Sequence, residues 1–264
     1  MKIELRYFKG ILFLNIASIN ILLKGGIRSF SNFVIEIKRA YLQKKMNYHK
    51  IKMIRLEEIA KKNDYDFFLP VNLCKPGSTP WYDLLVLATL VKKFQPEVIF
   101  EIGSFEGLGS AVMCNNCSAK LLYTLDLPPK KINSMSDVSK FAKKDHSIGF
   151  AYKSGKFLKL VNPDVKVNRL GDSWNFDFSL FIDGAHTYRY VLKDTLNAIR
   201  CVQKGGIIAW HNVKNTQVLN VIFRITQYLE VVHVLNSNIC FAVNTKDSIK
   251  VLEVLTKKLR NYER

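Results

Sequence analysis

Six polar side chains in this sequence stand where chemistry could be done: Glu101, Asp126, Asp172, Asp183, His211 and Asn212. Most of them close apolar runs that read as strands. An ionised carboxylate only accepts hydrogen bonds, so Asp126 at a strand end can take two from ribose hydroxyls. Asp183, His211 and Asn212 could meet around a cation, or His211 could take up a proton. Gly103-x-x-x-Gly107-x-Gly109 follows Glu101 directly and lets a ligand approach closer than any Cβ would permit. The spacing is not the Gly-x-Gly-x-x-Gly of dinucleotide sites, and no Gly-x-x-x-x-Gly-Lys-Ser/Thr phosphate cradle is present. With Glu101 two residues before the first glycine, the turn suits a ligand that carries a charged amino acid.

These residues converge only if a sheet brings its strand ends together. Apolar runs predict strands at 97–102, 121–126, 165–170, 178–183 and 206–210. Residues 81–94 read as a helix ended by Pro96, and 188–202 as a helix followed by a turn at Gly205-Gly206. Segments 229–235 and 239–243 flank Asn236-Ser237-Asn238 as a hairpin. Strands alternating with helices predict a parallel sheet, and ligands bind outside the carboxyl ends of such strands. Residues 63–80 read as loop, 246–260 as a charged amphipathic helix, and 128–160 as a long insert that could cover the site.

The chain has 264 residues, enough for one sizeable α/β domain with an extension. A hydrophobic fraction of 48% excludes wholesale disorder. Cys114 and Cys117 form one CxxC without a second pair, which reads as buried thiols of a reduced cytosolic protein. Forty basic and twenty-two acidic side chains give +18. Residues 1–62 hold fourteen Lys/Arg and four Glu, a surplus of ten, and read as a basic helical N-terminal extension to a domain at 63–264. Its apolar stretch at 11–23 is too short to span a membrane; it reads as a packed helix or one lying on a membrane surface.

The pieces EIGSFEGLGS (101–110), YTLDLPP (123–129), GDSWNFDF (171–178), FIDGAHTYRYVLKDT (181–195) and KGGIIAWHNV (204–213) occur in an order that resembles the class I S-adenosylmethionine-dependent methyltransferases. The likeness is greatest to the branch whose members often methylate oxygens of small molecules or sugars. It implies a Rossmann-like, mostly parallel seven-stranded sheet with a C-terminal antiparallel hairpin. It also implies roles. Gly103, Ser104 and Gly107 would pass under the methionine part of S-adenosylmethionine, with Glu101 oriented toward it. Asp126 would hold the ribose, and Asp172 and Ser173 would lie beside the adenine. Asp183 would face the sulfonium and the acceptor.

One departure stands out. Members of this branch commonly end the fifth strand in Trp-His-Asp, and this chain has Trp210-His211-Asn212. Asp183, His211 and Asn212 are therefore candidates for catalysis and for holding a divalent cation; His211 could equally be a general base or a packing residue. The expected partners are a small-molecule or glycan acceptor, a membrane surface met by the basic extension, and a second copy of the chain. No aromatic-interleaved basic motif favours nucleic acid. The expected location is cytoplasmic or membrane-peripheral. The rival reading is a non-catalytic Rossmann-like module whose basic extension binds membrane or nucleic acid.

Overall fold

In the computed structural model of the protein, the described residues are 34, 37, 40, 41, 44, 46, 51–60, 66–74, 78–125, 158–170, 179–184, 186–245, 252, 253 and 256. The chain divides into two compact units, Met1–His49 and Lys50–Arg264. The described residues of the first, among them Val34, Ile37 and Tyr41, are helical, as their three- and four-residue spacing predicts.

Runs such as Val98-Ile99-Phe100 are β-branched and aromatic without polar alternation, the pattern of strands covered on both faces. They form one sheet. In chain order the elements are β1 (Lys52–Ile54), α1 (Leu56–Ile59), α2 (Trp81–Phe94), β2 (Val98–Ile102), α3 (Leu108–Asn115), β3 (Leu121–Leu125), β4 (Lys166–Leu170), β5 (Ser179–Ile182), α4 (Tyr188–Cys201), β6 (Ile207–Trp210), α5 (Thr216–Ile225), β7 (Val231–Val234) and β8 (Cys240–Val243). The strand order is β1-β7-β8-β6-β5-β2-β3-β4. All pairings are parallel except those of β8 with β6 and β7.

The predicted strands, the helix at 81–94 and the hairpin are all present within a residue or two of their expected ends. The hairpin turns at Asn236, which has a φ of 67°, and Ser237 Oγ donates to the Val234 carbonyl at 2.8 Å. The sheet has eight strands where the sequence predicts seven. The addition is β1, which lies within the segment expected to be a helical extension and pairs in parallel with β7. Ile54 and Ile59 belong to the buried core, so this segment is part of the sheet-bearing unit rather than an appendage.

The order places the site. From β2 the chain steps through α3 to β3 on one side; from β5 it steps through α4 to β6 on the other. Right-handed crossovers put α3 and α4 on opposite faces of the sheet. The carboxyl ends of β2 and β5 therefore form the point where strand order reverses, and a crevice opens there. Helix α2 packs on α3, and α4 packs on α5. Leu84, Leu87, Leu90 and Val91 bury one side of α2; each such side chain contributes about 1.5–3 kcal/mol.

Candidate functional site

The turn after β2 curls through left-handed backbone at Gly103 (φ 92°), Phe105 (φ 49°) and Gly107 (φ 84°). Two of its glycines are required by contact. A Cβ on Gly103 would lie 2.2 Å from the Asp183 carbonyl oxygen, and one on Gly109 would lie 2.6 Å from Glu101 Oε1. The first contact brings the turn and the end of β5 together at backbone level. Gly103 N–H also donates to the Leu125 carbonyl at 2.8 Å, drawing in the end of β3.

Glu101 is 2% exposed, and a buried carboxylate needs partners. Its Oε2 accepts from the Ser110 hydroxyl and, at 3.0 Å, from Thr124 Oγ1. Ser104 Oγ is bonded to the same Thr124 hydroxyl. Glu101 thus fastens β2 to the first turn of α3 and to β3. Asp126, Asp172 and Ser173 lie outside the described residues, as do 128–157 of the insert. Leu125, immediately before Asp126, ends β3 beside the glycine turn.

The other polar strand ends meet. His211, 5% exposed, sits between two carboxylates: Nδ1 is 2.8 Å from Asp183 Oδ1, and Nε2 is 3.0 Å from Asp83 Oδ2. A carboxylate cannot donate, so both ring nitrogens must carry hydrogen and the imidazole is cationic. Burial alone would lower the His211 pKa, but the charge of Asp183 and the bonds to both acids push it up to about 10. The acids respond in kind. Burial raises the Asp183 carboxyl, and His211, with His186, more than reverses this and holds it below its ordinary value. For Asp83 too the upward push of burial is outweighed, here by the bond and charge of His211 and by bonds from Asn238.

Asn212 occupies left-handed backbone at φ 57°, a conformation asparagine tolerates better than most residues. Its Nδ2 donates to Asp183 Oδ1 at 3.0 Å and lies 2.6 Å from His186 Nε2. His186 Nε2 is itself 3.4 Å from Asp183 Oδ1. The shorter approach makes Nε2 the acceptor of the amide hydrogen. The His186 side chain is 40% exposed and Asp183 16%, so the cluster runs from a closed end at Asp83 to an open end at His186.

Asp83 was not among the sequence candidates. It lies near the start of an apolar helix, where a lone acid reads as a favourable charge at the helix N-terminus. Its partners, His211 and Asn238, are 128 and 155 residues away and leave no local signal. Asn238, in the hairpin turn, donates to Asp83 through its backbone N–H and its side-chain amide, each at 2.8 Å.

The arrangement leaves His211 no lone pair with which to ligate a cation or accept a proton. Asn212 presents its amide nitrogen, not its oxygen, to Asp183. The donor set foreseen for a divalent cation therefore does not fit one as it stands. Among the described residues, no group of three or more His, Cys, Asp or Glu side chains could hold a metal ion.

Residues 100–213 match a family model described as a methyltransferase domain. A search of curated proteins finds no match. Among solved structures the chain is similar to an O-methyltransferase from Bacillus cereus in complex with S-adenosylhomocysteine, at 17% identity over 79% of this chain and 99% of the other (TM-score 0.43). It is similar to the O-methyltransferase TomG from Streptomyces achromogenes at 14% identity over 72% and 89% (TM-score 0.42). A precorrin-6y C5,15-methyltransferase from Geobacter metallireducens gives 14% over 71% and 98% (TM-score 0.46). These overlaps are distant, and the family match carries the weight.

Proposed function

We propose that this chain, whose residues 100–213 match a methyltransferase domain, is a class I S-adenosylmethionine-dependent methyltransferase and methylates a hydroxyl oxygen of a small molecule or glycan. The observation that carries the proposal is the backbone contact between the Gly103 turn and Asp183. A ligand lying on the turn would lie beside the strand end that carries that acid.

The residues fit the donor. The turn offers bare backbone at Gly103 and Gly107, and Gly107, as the N-cap of α3, has no side chain to bond the first-turn amides. Those amides favour a carboxylate such as that of the methionine part. S-adenosylmethionine supplies an electrophilic methyl on a cationic sulfonium. Asp183, held ionised by His211, complements that positive charge. Most of the acceleration in such a transfer comes from aligning nucleophile and methyl, which a rigid rim of strand ends provides. His211 orients and does not take the acceptor's proton. The group left for that is the second oxygen of the Asp183 carboxylate. Glu101, anchored through Oε2 to Ser110 and Thr124, holds together the elements that flank the turn.

Calorimetric titration tests the choice of ligand: S-adenosylhomocysteine should bind, and NADH, a dinucleotide, should not. Asp126→Ala should weaken S-adenosylhomocysteine by about tenfold or more, the loss expected for a bidentate charged contact. Unchanged affinity would move the ribose site away from the end of β3.

A further inference from the structure

Asp83 lies outside any role proposed so far, yet it is among the most deeply buried charges of the site, 1% exposed. Three hydrogen bonds to its carboxylate converge from elements distant in sequence: one from His211 after β6, and two from Asn238 in the β7–β8 turn. On the other side of His211, the hydrogen bonds that His211 and Asn212 make to the Asp183 carboxylate both fall on Oδ1. The carboxylate is thus gripped by one oxygen.

We infer that Asp83 is a positioning residue for methyl transfer: through His211 it fixes the rotation of Asp183, so that Oδ2 is presented to the ligand on the glycine turn. The inference rests on the methyltransferase reading of that turn. The physical reason is that an imidazole held at one nitrogen can swing about that bond, whereas one held at both cannot. Asp83 is itself immobilised by the two Asn238 donors, so the grip on Asp183 is referred to α2 and to the hairpin. Without Asp83, His211 would keep its bond to Asp183 but lose its own anchor. The pair could then turn together, and the carboxylate would no longer be held against a positive centre.

The test needs no acceptor, because the methyl donor and its demethylated product differ at that centre. S-adenosylmethionine carries a sulfonium and S-adenosylhomocysteine a neutral thioether. Both are titrated calorimetrically into the full chain and into Asp83→Asn, Asp183→Asn and the double variant. Asp83→Asn keeps the shape of the side chain but replaces one of its two acceptor oxygens by a donor, so it can no longer accept from both sides; thermal unfolding checks that each variant is folded. Asp83→Asn should leave S-adenosylhomocysteine within about twofold of the unmodified chain and weaken S-adenosylmethionine by about tenfold. In the Asp183→Asn background the same change should add no further discrimination, because Asp83 acts through Asp183.

Equal weakening of both ligands would overturn the inference and make Asp83 a purely structural residue. So would a loss of discrimination that persists undiminished in the Asp183→Asn background, since Asp83 would then act by another route. If the unmodified chain binds neither compound, the methyltransferase reading itself fails. If it binds both and Asp83→Asn changes neither, only the positioning role fails. Should Asp83→Asn not fold, Asn238→Ala, which removes one of the two anchors and leaves every charge in place, should produce the same selective loss to a smaller degree. An Asn238→Ala chain with unchanged affinity for both ligands would then count against the inference.

Discussion

At the scale of single residues, the cluster turns on one imidazole. The folded chain holds His211 protonated up to about pH 10, whereas an unfolded histidine gives up its proton near its model value of 6.5. Its contribution to stability is complete below 6.5 and is lost as pH rises toward 10. Above neutrality the unfolded state binds fewer protons, so stability must fall with pH. One proton sets the slope at about 1.4 kcal/mol per pH unit. Asp194, whose burial lifts its carboxyl to about 7, contributes the same sign below that pH and nothing above it. The window in which His211 dominates is therefore about pH 7.5 to 8, below the onset of thiol ionisation in the unfolded chain. Urea unfolding across that window should show the decline, and His211→Gln should flatten it even though it lowers stability throughout. A variant with an undiminished slope would assign the proton to another group. The CxxC cysteines set the upper limit of this window, because an unfolded thiol starts to lose its proton on approaching its ordinary value of 9.0 while the folded one keeps it, which adds the same sign. Burial pushes the Cys114 thiol well up, and burial also lifts Cys117 to about 11, with Cys117 Sγ turned to the Met113 carbonyl at 3.3 Å. They are packed thiols, as expected from one pair without a second.

At the scale of elements, what was legible depended on length and on punctuation. Helix α2 runs fourteen residues between Pro80 and Pro96, and its ends follow from the sequence. Strand β1 is three residues, Lys-Met-Ile, too short to show any period. Helix α5 was not anticipated, although its signal is present in hindsight. Asn215 caps it by accepting from Gln217 N–H at 2.9 Å, and Val218, Leu219, Val221, Ile222 and Ile225 share its buried face. The acids at the ends of β2 and β5 could be read from position alone, but not their partners, because side-chain pairing across a sheet depends on strand order. Glu101 shows the consequence most clearly. Its place before a glycine turn suggested a ligand contact, and its hydrogen bonds go to Ser110 and Thr124. Gly109 completes that joint: helix interiors favour alanine over glycine by about 1 kcal/mol, yet glycine stands here because a Cβ would meet Glu101 Oε1 at 2.6 Å. Gly109→Ala should therefore destabilise the chain by about 1–3 kcal/mol, the range for overpacking a filled site. Coupling it with Glu101→Ala should recover part of that loss in chemical denaturation. An additive pair would mean that the glycine serves something other than room for the carboxylate.

At the scale of the whole molecule, charge and sequence pattern suggested a boundary at residue 62, because the basic surplus runs that far. The packing places it at His49. Composition could not reveal this: Lys52 and Arg55 are as basic as the residues before them, while Ile51, Ile54 and Ile59, each buried, tie the same segment to the sheet. Two truncations distinguish the boundaries. A chain beginning at Lys50 retains all eight strands and should unfold in one cooperative transition. A chain beginning at residue 63 lacks β1 and α1. It loses the apolar burial of Ile54 and Ile59, about 1.5–3 kcal/mol for each side chain, and Leu235 N–H loses its bond to the Ile54 carbonyl, 2.9 Å in the intact sheet. It also bares β7 as an edge. That strand reads Val-Val-His-Val, with little charge to discourage pairing with another copy. The shorter chain should melt lower and show concentration-dependent association in light scattering, and the longer should do neither. The edge lies next to β8, and the turn between β7 and β8 holds Asn238 against Asp83. Loss of β1 should therefore also loosen the closed end of the site. Weaker discrimination between S-adenosylmethionine and S-adenosylhomocysteine in the shorter chain, with discrimination retained in the chain from Lys50, would join the edge of the sheet to the chemistry at its centre.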